Sequence, residues 1–455
     1  RMKIVVIGGD AAGMSAASQV KRRRKDWQVT VLEKGRFTSY AACGIPYYLA
    51  GDVADFDDLV VVTPDEFRSK RGIDVRMGWE ATSIDTRDRK VTARTDTGSS
   101  ESLPYDRLLI ATGASPIVPD WPGVDLAGVT AVRNLEDAEH LERLLSEEPK
   151  RAVVVGAGYV GLEMAEALAR RGLEVTAVEK LAGVMGGAED TLTQMVLDEA
   201  EHHGIRILLE TSVEGFQGTE GRLTTVQTDR GGLPADLAVV SLGVRPNSAL
   251  AAKAGIALGS FGAIHVDVGQ RTDIEDVFAA GDCAEANHLV LGRPVYIPLA
   301  LTANRQGRVA GANMAGGQER FPGVVGSAVT RLFDLTIART GIDEATAERA
   351  GIPFKTVTTE APSKAHYYPG HEPLWVKLVF RSDNHKLLGA WLVGRDPCAG
   401  KRADVLAVAL STGMSIEQIG DLDLTYAPPF APVWDPILQA ANKARFQLAS
   451  EENSA

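Results

Sequence analysis

Residues 151–161 of the chain read RAVVVGAGYVG, a run of valines that leads into a glycine-rich segment. The valines predict a buried strand at 152–155. This strand is followed by glycines at the spacing G-x-G-x-x-G, namely Gly156, Gly158 and Gly161. In this pattern the first glycine permits a sharp turn, the second lets backbone N–H groups approach a pyrophosphate, and the third lets the next helix pack on the strand. The stretch therefore predicts a dinucleotide-binding strand–helix–strand unit.

The residues after this turn complete the unit. A helix is expected at 163–171 and a second strand at 175–178. Glu179 ends that strand, 23 residues after Gly156. A carboxylate at this position accepts a hydrogen bond from the ribose 2′-hydroxyl and repels a 2′-phosphate. The acid therefore favours NADH, while the neighbouring Lys180 leaves NADPH open.

The same order of elements occurs near the start of the chain. A strand is predicted at 4–7, a glycine-rich turn at 8–13, a helix at 16–24 and a second strand at 29–32. This turn keeps its outer glycines, Gly8 and Gly13, but has Asp10 in place of the middle one. Glu33 ends the second strand, where a ribose-binding acid belongs. The repeat implies two nucleotide sites, provided that the carboxylate of Asp10 points away from the pyrophosphate; a structural turn without a ligand is the alternative.

Strands beyond the two units also end on turns of small residues. These turns include Thr112 and Gly113 after a strand within 103–111, and Gly281 and Asp282 after a strand at 277–280. From about residue 322 onward the glycine turns become rarer. Strands at 374–380 and 387–393 then accompany an apolar helix at 403–410, which predicts an α+β region.

Composition limits the classes of partner. The chain has 455 residues, with 48 Lys and Arg against 60 Asp and Glu, and a net charge of −12. Such a charge offers no electrostatic footprint for nucleic acid or an anionic membrane. We expect no membrane span, no signal peptide and no metal site, since the histidines lack the spacing of zinc ligands. The expected partners are small molecules and the expected compartment is cytoplasmic.

The chain contains three widely separated cysteines, too few for a disulfide scaffold. Cys43 lies in the segment SYAACGIPYY (39–48), just before residues that are able to begin a helix. A helix N-terminus lowers the pKa of a thiol, so a lowered pKa is expected for Cys43. Taken alone, this cysteine is open to two interpretations, a reactive thiol or an inert buried residue. Cys283 and Cys398 are expected to be unreactive.

Several motifs together resemble those of the FAD-dependent pyridine nucleotide-disulfide reductases. They are the two dinucleotide units, Cys43 between them, ATG at 111–113, the segment 272–282 and YAPPF at 426–430. The likeness covers nearly the whole chain. It is strongest with the single-cysteine branch, which contains coenzyme A-disulfide reductases, NADH oxidases and NADH peroxidases.

The resemblance implies an α/β fold with two Rossmann-like dinucleotide-binding domains and a C-terminal α+β dimerisation domain. The FAD-binding domain would comprise 1–115 and 245–322, the NAD(P)H-binding domain 116–244, and the dimerisation domain 323–455. The resemblance further implies a homodimer that uses FAD and either NADH or NADPH.

It also implies roles for individual residues. FAD would be held by Gly8, Gly13, Glu33, Thr112, Gly113, Gly281 and Asp282, with Asp282 at the ribityl chain. NAD(P)H would be held by Gly156, Gly158, Gly161 and Glu179, while Tyr159 covers the flavin and Glu163 lies near the nicotinamide. Positions that contact coenzyme A are matched by Gln19, Arg22 and Ser39.

The resemblance assigns the central role to Cys43, which would attack a disulfide and retain one half of it as a mixed disulfide. Residues 44–48 contain no second cysteine, so an intramolecular disulfide mechanism at this point is excluded. Tyrosines of the partner subunit commonly complete the site in this family. Their positions are matched by Tyr426 and by Tyr367 or Tyr368, which would act as proton donors or pack at the interface.

Three departures from the family pattern bear on the substrate. Ala11 replaces the histidine of the peroxidases and oxidases, which disfavours peroxide reduction, whereas Ala42 and Trp434 replace an asparagine and a lysine expected in coenzyme A-disulfide reductases and count against coenzyme A. With Gln19, Arg22 and Ser39 matched, the resemblance still implies an enzyme that reduces a small disulfide, with coenzyme A disulfide or a related persulfide or polysulfide favoured. Two alternatives stay open: an NAD(P)H oxidase that passes electrons to O2 or quinones, and an electron-transfer reductase for a ferredoxin-like partner.

Overall fold

A computed structural model describes residues 1–452, which form two compact units. The first unit contains Arg1–Gly187, Gly204–Asn287 and Pro294–Gly323. The second contains Ala188–His203, His288–Arg293 and the residues from Val324 onward. The domain boundaries at 115, 244 and 322 stay predictions.

The helices vary from one turn to about five. They are α1 (Ala11–Arg23), α2 (Ile45–Leu49), α3 (Pro64–Arg71), α4 (Leu135–Leu145), α5 (Tyr159–Arg170), α6 (Val184–Gly187), α7 (Asp190–His202), α8 (Ala249–Lys253), α9 (Ala300–Met314), α10 (Glu344–Arg349), α11 (Cys398–Thr412), α12 (Ile416–Gly420) and α13 (Pro436–Glu452). Short 3-10 helices lie at Ala42–Gly44, Phe56–Leu59 and Ser260–Gly262.

The strands of the first unit include both parallel and antiparallel sets. They are β1 (Lys3–Ile7), β2 (Gln28–Glu33), β3 (Asp74–Met77), β4 (Trp79–Asp85), β5 (Lys90–Thr95), β6 (Ser100–Pro104), β7 (Arg107–Ile110), β8 (Ala114–Pro116), β9 (Val129–Ala131), β10 (Arg151–Val155), β11 (Glu174–Val178), β12 (Arg206–Leu208), β13 (Val213–Thr219), β14 (Arg222–Thr228), β15 (Gly231–Pro234), β16 (Leu237–Val240), β17 (Val244–Pro246) and β18 (Val277–Ala279). The remaining strands are β19 (Ala286–His288), β20 (Arg293–Val295), β21 (Ala328–Leu332), β22 (Leu335–Gly341), β23 (Phe354–Pro362), β24 (Pro373–Arg381) and β25 (Leu387–Gly394).

Two five-stranded parallel sheets form the first unit. Their strand orders are β18-β7-β1-β2-β3 and β12-β11-β10-β16-β9. Val6 of the first sheet pairs with Val31 and Leu109, and all three are fully buried. Each sheet is accompanied by a three-stranded antiparallel sheet, β4-β5-β6 in one case and β13-β14-β15 in the other. The predicted α/β fold with two copies of one unit is confirmed.

The helices of both strand–helix–strand units begin earlier than the sequence predicts. α1 begins at Ala11 rather than residue 16, and α5 begins at Tyr159 rather than residue 163. The chain reverses at the first glycine of each turn, where φ is +108° at Gly8 and +104° at Gly156. The rest of the turn is therefore free to form the first helical turn, and the predicted helix starts were wrong by about one turn.

An antiparallel sheet, β21-β22-β25-β24-β23, forms the second unit together with α11 and α13. Leu378 and Leu392 from the sheet share a buried core with Leu406 of α11 and Ala441 of α13. The strands predicted at 374–380 and 387–393 are confirmed. The helix predicted at 403–410 is longer and begins at Cys398.

In the first unit, α9 packs against α1 through two glycines. A Cβ added at Gly307 would clash with the carbonyl oxygen of Ala12, and one at Gly311 would clash with that of Ala16. Backbone therefore lies against backbone along this helix pair. The contact holds α9 beside the helix that begins at the first glycine turn.

Replacing Gly311 by alanine tests this packing. An alanine in a helix interior normally stabilises by about 1 kcal/mol over glycine, but here the added methyl group must push α1 and α9 apart. We expect the free energy of unfolding to fall by about 1–3 kcal/mol, measured as a lower midpoint of thermal unfolding.

Arg308→Ala is the control, since Arg308 is exposed on the same helix. A Gly311→Ala protein that unfolds at or above the midpoint of the control would show that the helices do not pack at backbone contact.

Candidate active site

The second glycine turn has the shape of a phosphate cradle. Cβ atoms at Gly156 and Gly161 would clash with the carbonyl oxygens of Ser241 and Gly156, so both positions require glycine. At Gly158, by contrast, a Cβ would meet no atom of the described residues within 4 Å. Because Gly158 caps the N-terminus of α5, this open space lies where backbone N–H groups and the helix dipole attract an anion.

Glu179 binds the backbone of this turn. Its Oε2 accepts a hydrogen bond from the N–H of Ala157 and its Oε1 accepts one from Leu181, both at 2.9 Å. Tyr159 and Glu163 lie in the first two turns of α5 and are both partly exposed. The acid, the turn and the start of the helix therefore form one structure.

The first glycine turn repeats this arrangement. A Cβ at Gly8 would clash with the carbonyl oxygen of Ala111, and one at Gly13 would clash with that of Gly8. Glu33 accepts hydrogen bonds from the N–H groups of Gly9 and Gly35, both at 2.7 Å. Burial raises the pKa of Glu33.

Asp10 occupies the position of the missing middle glycine. Its Oδ1 accepts a hydrogen bond from the N–H of Tyr40 at 3.1 Å, so one carboxylate oxygen is engaged by the segment that precedes Cys43. Burial raises the pKa of Asp10 to about 6, against the opposing effect of the Tyr40 hydrogen bond. The hydrogen bond from Tyr40 gives the Asp10 carboxylate a partner within the protein, as an aspartate beside a pyrophosphate requires.

Further predicted residues lie at the carboxyl ends of neighbouring strands of the same sheet. Thr112 and Gly113 follow β7, and the Oγ1 of Thr112 donates to the carbonyl oxygen of Asn247 at 2.6 Å. Gly281 and Asp282 follow β18, and the carboxylate of Asp282 pairs with Arg133. Strand ends of a parallel sheet are where ligands bind in folds of this type.

Cys43 lies in the 3-10 helix Ala42–Gly44 and its side chain is exposed. Loss of hydration beside the protein surface raises the pKa of its thiol, the Glu163 carboxylate raises it further, and Arg133 opposes this. The expectation of a lowered pKa was wrong. α2 has only five residues, and loss of hydration together with neighbouring carboxylates outweighs the dipole of so short a helix.

Contacts with α5 hold the segment that follows Cys43. The hydroxyl of Tyr47 donates to Oε1 of Glu163 at 3.1 Å. Arg170 forms a two-pronged ion pair with Asp52 at 2.7 and 2.9 Å. The thiol segment is thus joined to the helix that begins at the Gly158 cradle.

Arg133 is a residue of this candidate site that the sequence patterns did not predict. It pairs with Asp282 and lowers the pKa of Cys43, although it lies 90 residues from Cys43 along the chain. Its one local signal is its place just before the Asn134 capping box at the start of α4. That signal marks a helix start and says nothing of a thiol.

The positions predicted for coenzyme A lie near α1. Gln19 is partly exposed and Arg22 is exposed on this helix, while Ser39 has a φ of +50° in the loop before Cys43. The hydroxyl of Ser15, one turn before Gln19, donates to Asn304 of α9 at 2.8 Å. Ser15 and Asn304 extend this polar surface and were not predicted.

The predicted tyrosines lie in the second unit. Tyr367, Tyr368 and Tyr426 are all exposed. Tyr426 forms a side-chain hydrogen bond with Tyr367, which raises the pKa of Tyr426. Of the adjacent tyrosines Tyr367 and Tyr368, it is therefore Tyr367 that pairs with Tyr426.

The other two thiols differ from Cys43 in their surroundings. Cys283 is buried, with its Sγ 3.4 Å from the carbonyl oxygens of Ile110 and Ala280, and burial raises its pKa. Burial and a hydrogen bond to Asp396 raise the pKa of Cys398 to about 11. Both thiols are therefore held in the protonated form at neutral pH.

Residues 2–307 match the pyridine nucleotide-disulphide oxidoreductase family, and residues 327–436 match the dimerisation domain of these proteins. The chain belongs to this family. Over 450 residues it is 39% identical to the NAD(P)H coenzyme A polysulfide/persulfide reductase of Pyrococcus horikoshii, covering 98% of this chain and 99% of that protein.

Two solved structures of oxidoreductases resemble the chain closely. A NAD-dependent persulfide reductase from A. fulgidus has a TM-score of 0.96 and 38% identity, and the match covers 99% of this chain and 84% of that one. The water-forming NADH oxidase from Lactobacillus brevis, bound to NADH, has a TM-score of 0.95 and 32% identity, covering 99% of this chain and 100% of that one.

As a member of its family, the oxidoreductase is an NAD(P)H-dependent flavoprotein reductase with FAD as cofactor. The second glycine turn at Gly158 and the strand-end turn at Gly113, beside the first glycine turn, both border open space, with no described atom within 4 Å of an added Cβ, which leaves room for a nucleotide at each place. In the described part of the chain, no helix is both long and apolar enough to cross a bilayer. Residues 1–452 contain no cluster of three or more His, Cys, Asp or Glu side chains arranged for a metal ion.

Glu163→Gln tests the electrostatics of the oxidoreductase's thiol. Removing this carboxylate should lower the pKa of Cys43, and the rate of alkylation at neutral pH should rise about threefold to tenfold, corresponding to roughly half to one pH unit. The measurement is the pH dependence of Cys43 alkylation in the oxidised holoenzyme.

Glu174→Gln is the matched control, because Glu174 is exposed at the opposite end of the adjacent strand β11. If both variants alkylate Cys43 with the pH profile of the unchanged protein, Glu163 does not act on the thiol.

Proposed function

We propose that the protein reduces the disulfide or persulfide of coenzyme A, or a closely related small molecule, with Cys43 as its redox-active thiol. The observation that carries this proposal is the position of Cys43. It is exposed, and its pKa responds to Glu163 of the second nucleotide unit and to Asp282 beside the first. The thiol thus lies within electrostatic range of both predicted nucleotide sites. The name of the Pyrococcus relative supports the substrate class.

Cys43 would react as a thiolate. Its sulfur attacks one sulfur of the substrate, the substrate S–S bond breaks, and the leaving thiolate takes up a proton. The other half of the substrate stays on Cys43 as a mixed disulfide. FAD, when bound, would supply the electron pair from NAD(P)H that breaks this mixed disulfide, so that the second half of the substrate leaves as a thiol and Cys43 returns to the thiol state.

The raised pKa of Cys43 gives this reaction a pH dependence. A raised thiol pKa lowers the thiolate fraction at neutral pH, so the rate of attack increases as the pH rises through that pKa. Arg133 opposes the carboxylates around Cys43. We infer that Arg133 limits the rise in the pKa of Cys43 that these carboxylates cause, so that the thiolate needed for the reaction still forms.

The residues that would hold the ligands follow from the two turns. FAD would be bound by the first turn with Glu33, Thr112, Gly113, Gly281 and Asp282, and NAD(P)H by the second turn with Tyr159, Glu163 and Glu179. Coenzyme A would lie against α1, where Arg22 is able to meet a phosphate and Ser15 and Gln19 share its face at helical spacing. Gln19, Arg22 and Ser39 then set its position.

We further infer a homodimer that works in the cytoplasm, built from the domains 1–115 with 245–322, 116–244 and 323–455. The dimerisation-domain match supports the assembly. In this dimer Tyr426 and Tyr367 of one chain would act beside Cys43 of the other. The free thiols of the described residues suit a reducing compartment.

Intact mass under denaturing, non-reducing conditions tests the role of Cys43. We expect an adduct of one coenzyme A after exposure to coenzyme A disulfide, its removal by dithiothreitol, and its absence in Cys43→Ser, because Cys283 is buried and the pKa of Cys398 is raised to about 11. Cys43→Ser should also lose disulfide or persulfide reduction by at least about a hundredfold, as when a nucleophile is removed.

Cys398→Ser is the matched control and should keep the adduct. An unmodified Cys43 thiol that ignores coenzyme A disulfide would contradict the proposal.

The similarity to the Lactobacillus enzyme along its whole length supports the NADH oxidase alternative. In that case Cys43→Ser would retain NADH-driven consumption of O2 while disulfide reduction is negligible in both proteins. A ferredoxin-like partner would instead give cytochrome-coupled turnover that does not depend on Cys43. These assays on one pair of proteins separate the three functions.

Glu179→Gln tests the preference between nicotinamide cofactors. The amide keeps an acceptor for the N–H of Ala157 but removes the negative charge that repels a 2′-phosphate. We expect kcat/KM for NADPH to rise about tenfold relative to that for NADH, equivalent to ~1.4 kcal/mol.

Lys180→Ala serves as the comparison, because it removes the neighbouring cation and should shift the ratio towards NADH. A ratio that is unchanged in Glu179→Gln would show that this acid does not face the ribose.

A further inference from the structure

The buried guanidinium of Arg402 joins four segments of the second unit. Its Nε donates to the carboxylate of Asp435 at 2.8 Å, and its Nη2 donates to the carbonyl oxygens of Ser363 at 2.9 Å and Phe430 at 3.1 Å. Its Nη1 contacts the sulfur of Cys398, one turn earlier on α11. Arg402 is 8% exposed, so these contacts replace its hydration.

Two of these segments carry the predicted tyrosines. Ser363 begins the segment 363–370, which contains Tyr367, and Phe430 ends the segment 426–430, which begins with Tyr426. We call these segments the tyrosine loops. Each is attached to Arg402 through a backbone carbonyl, so the guanidinium sets the distance between them.

The tyrosine loops also contact one another. The N–H of Ala365 donates to the carbonyl oxygen of Pro428 at 3.2 Å. Further along, the hydroxyls of Tyr367 and Tyr426 share a hydrogen bond. This phenol pair is exposed, so its geometry depends on how Arg402 holds the two tyrosine loops.

Stability alone is a poor explanation for a buried ion pair at this place. Removing two charges from water costs several kcal/mol, and apolar residues of similar volume often serve equally well. What arginine adds is a planar set of five donors that can bind several acceptors at fixed angles, which lysine cannot do. Asp435 also accepts from the N–H of Ile437 at 2.9 Å, at the start of α13.

We propose that Arg402 is a positioning residue that holds the tyrosine loops in register, so that Tyr426 and Tyr367 form one hydrogen-bonded phenol pair. This rests on the proposed function, in which the pair protonates the sulfur that leaves the substrate. A phenol proton passes to the leaving thiolate, the resulting phenolate is stabilised by the hydrogen bond from the second phenol, and water restores the proton.

The test uses the holoenzyme of Arg402→Met/Asp435→Asn, in which no buried charge is left without a partner and the amide keeps the acceptor for Ile437. Arg402→Lys is a milder variant that retains the charge, and carries the test by the same criteria if the double variant loses FAD. Lys401→Ala is the matched control, because Lys401 is the exposed neighbour on α11 and pairs only with Asp404 among the described salt bridges.

The first readout is the ultraviolet titration of Tyr426, taken as the difference between each protein and its Tyr426→Phe counterpart. In the unchanged protein the hydrogen bond keeps the pKa of Tyr426 above its usual value. We expect a downward shift in Arg402→Met/Asp435→Asn that matches the shift in Tyr367→Phe, and no shift in Lys401→Ala. A Tyr426 titration that is unaltered by the loss of Arg402 would overturn the proposal.

The second readout is turnover with coenzyme A disulfide. General-acid groups typically contribute at least a hundredfold, so a misaligned pair should lower kcat by roughly tenfold or more while KM stays within about twofold. Anaerobic reduction of FAD by NADH should be unchanged. A general loss of folding would instead lower both half-reactions together, which counts against a positioning role.

The two proposals fail separately. If Tyr426→Phe and Tyr367→Phe both leave kcat unaltered, the tyrosines take no part in the reaction and that part of the proposed function is wrong. The titration then still decides whether Arg402 aligns the pair. If the phenylalanine variants lose activity and the Arg402 variants keep it, the positioning role is overturned and the proposed function stands.

Discussion

In both glycine turns, a carboxylate from the end of the second strand binds the backbone N–H of the turn. Glu33 binds Gly9, and Glu179 binds Ala157. The last glycine of each turn packs against the carbonyl group of the first glycine, Gly13 against Gly8 and Gly161 against Gly156. Because of this close contact, the helix begins next to the end of the strand. The helix starts are thereby set, and with α5 comes the position of Glu163, which acts on Cys43.

In the proposed function a single thiol, Cys43, carries the redox chemistry, and its surroundings suit that role. It is exposed, its pKa is raised by loss of hydration and by neighbouring carboxylates, and Arg133 opposes this rise. Such a thiol is kept largely protonated at neutral pH, which limits its reaction with adventitious oxidants. A substrate that brings its own second sulfur then needs only one protein cysteine. The other two thiols are excluded from this chemistry by burial or by their neighbours.

The strands that sequence periodicity predicted lie close to their positions in the structure, because apolar runs and turn glycines are local signals. The sequence placed the helix starts late, since a glycine turn and the first helical turn overlap. It also predicted the wrong direction for the pKa of Cys43. The dipole of a following helix is visible in sequence, but its length of five residues and the carboxylate of Glu163, 120 positions away, are not. Arg133 and Arg402 were missed for the same reason.

The sequence by itself determined the repeated strand–helix–strand unit, the two acids that end the second strands, and the single cysteine between the units. Each of these depends on spacing within about 25 residues. Only the tertiary structure decided which charges surround Cys43, that Tyr367 rather than Tyr368 pairs with Tyr426, and that Arg402 joins their loops. Burial and Coulomb interactions depend on distance in space, and the residues concerned are far apart along the chain.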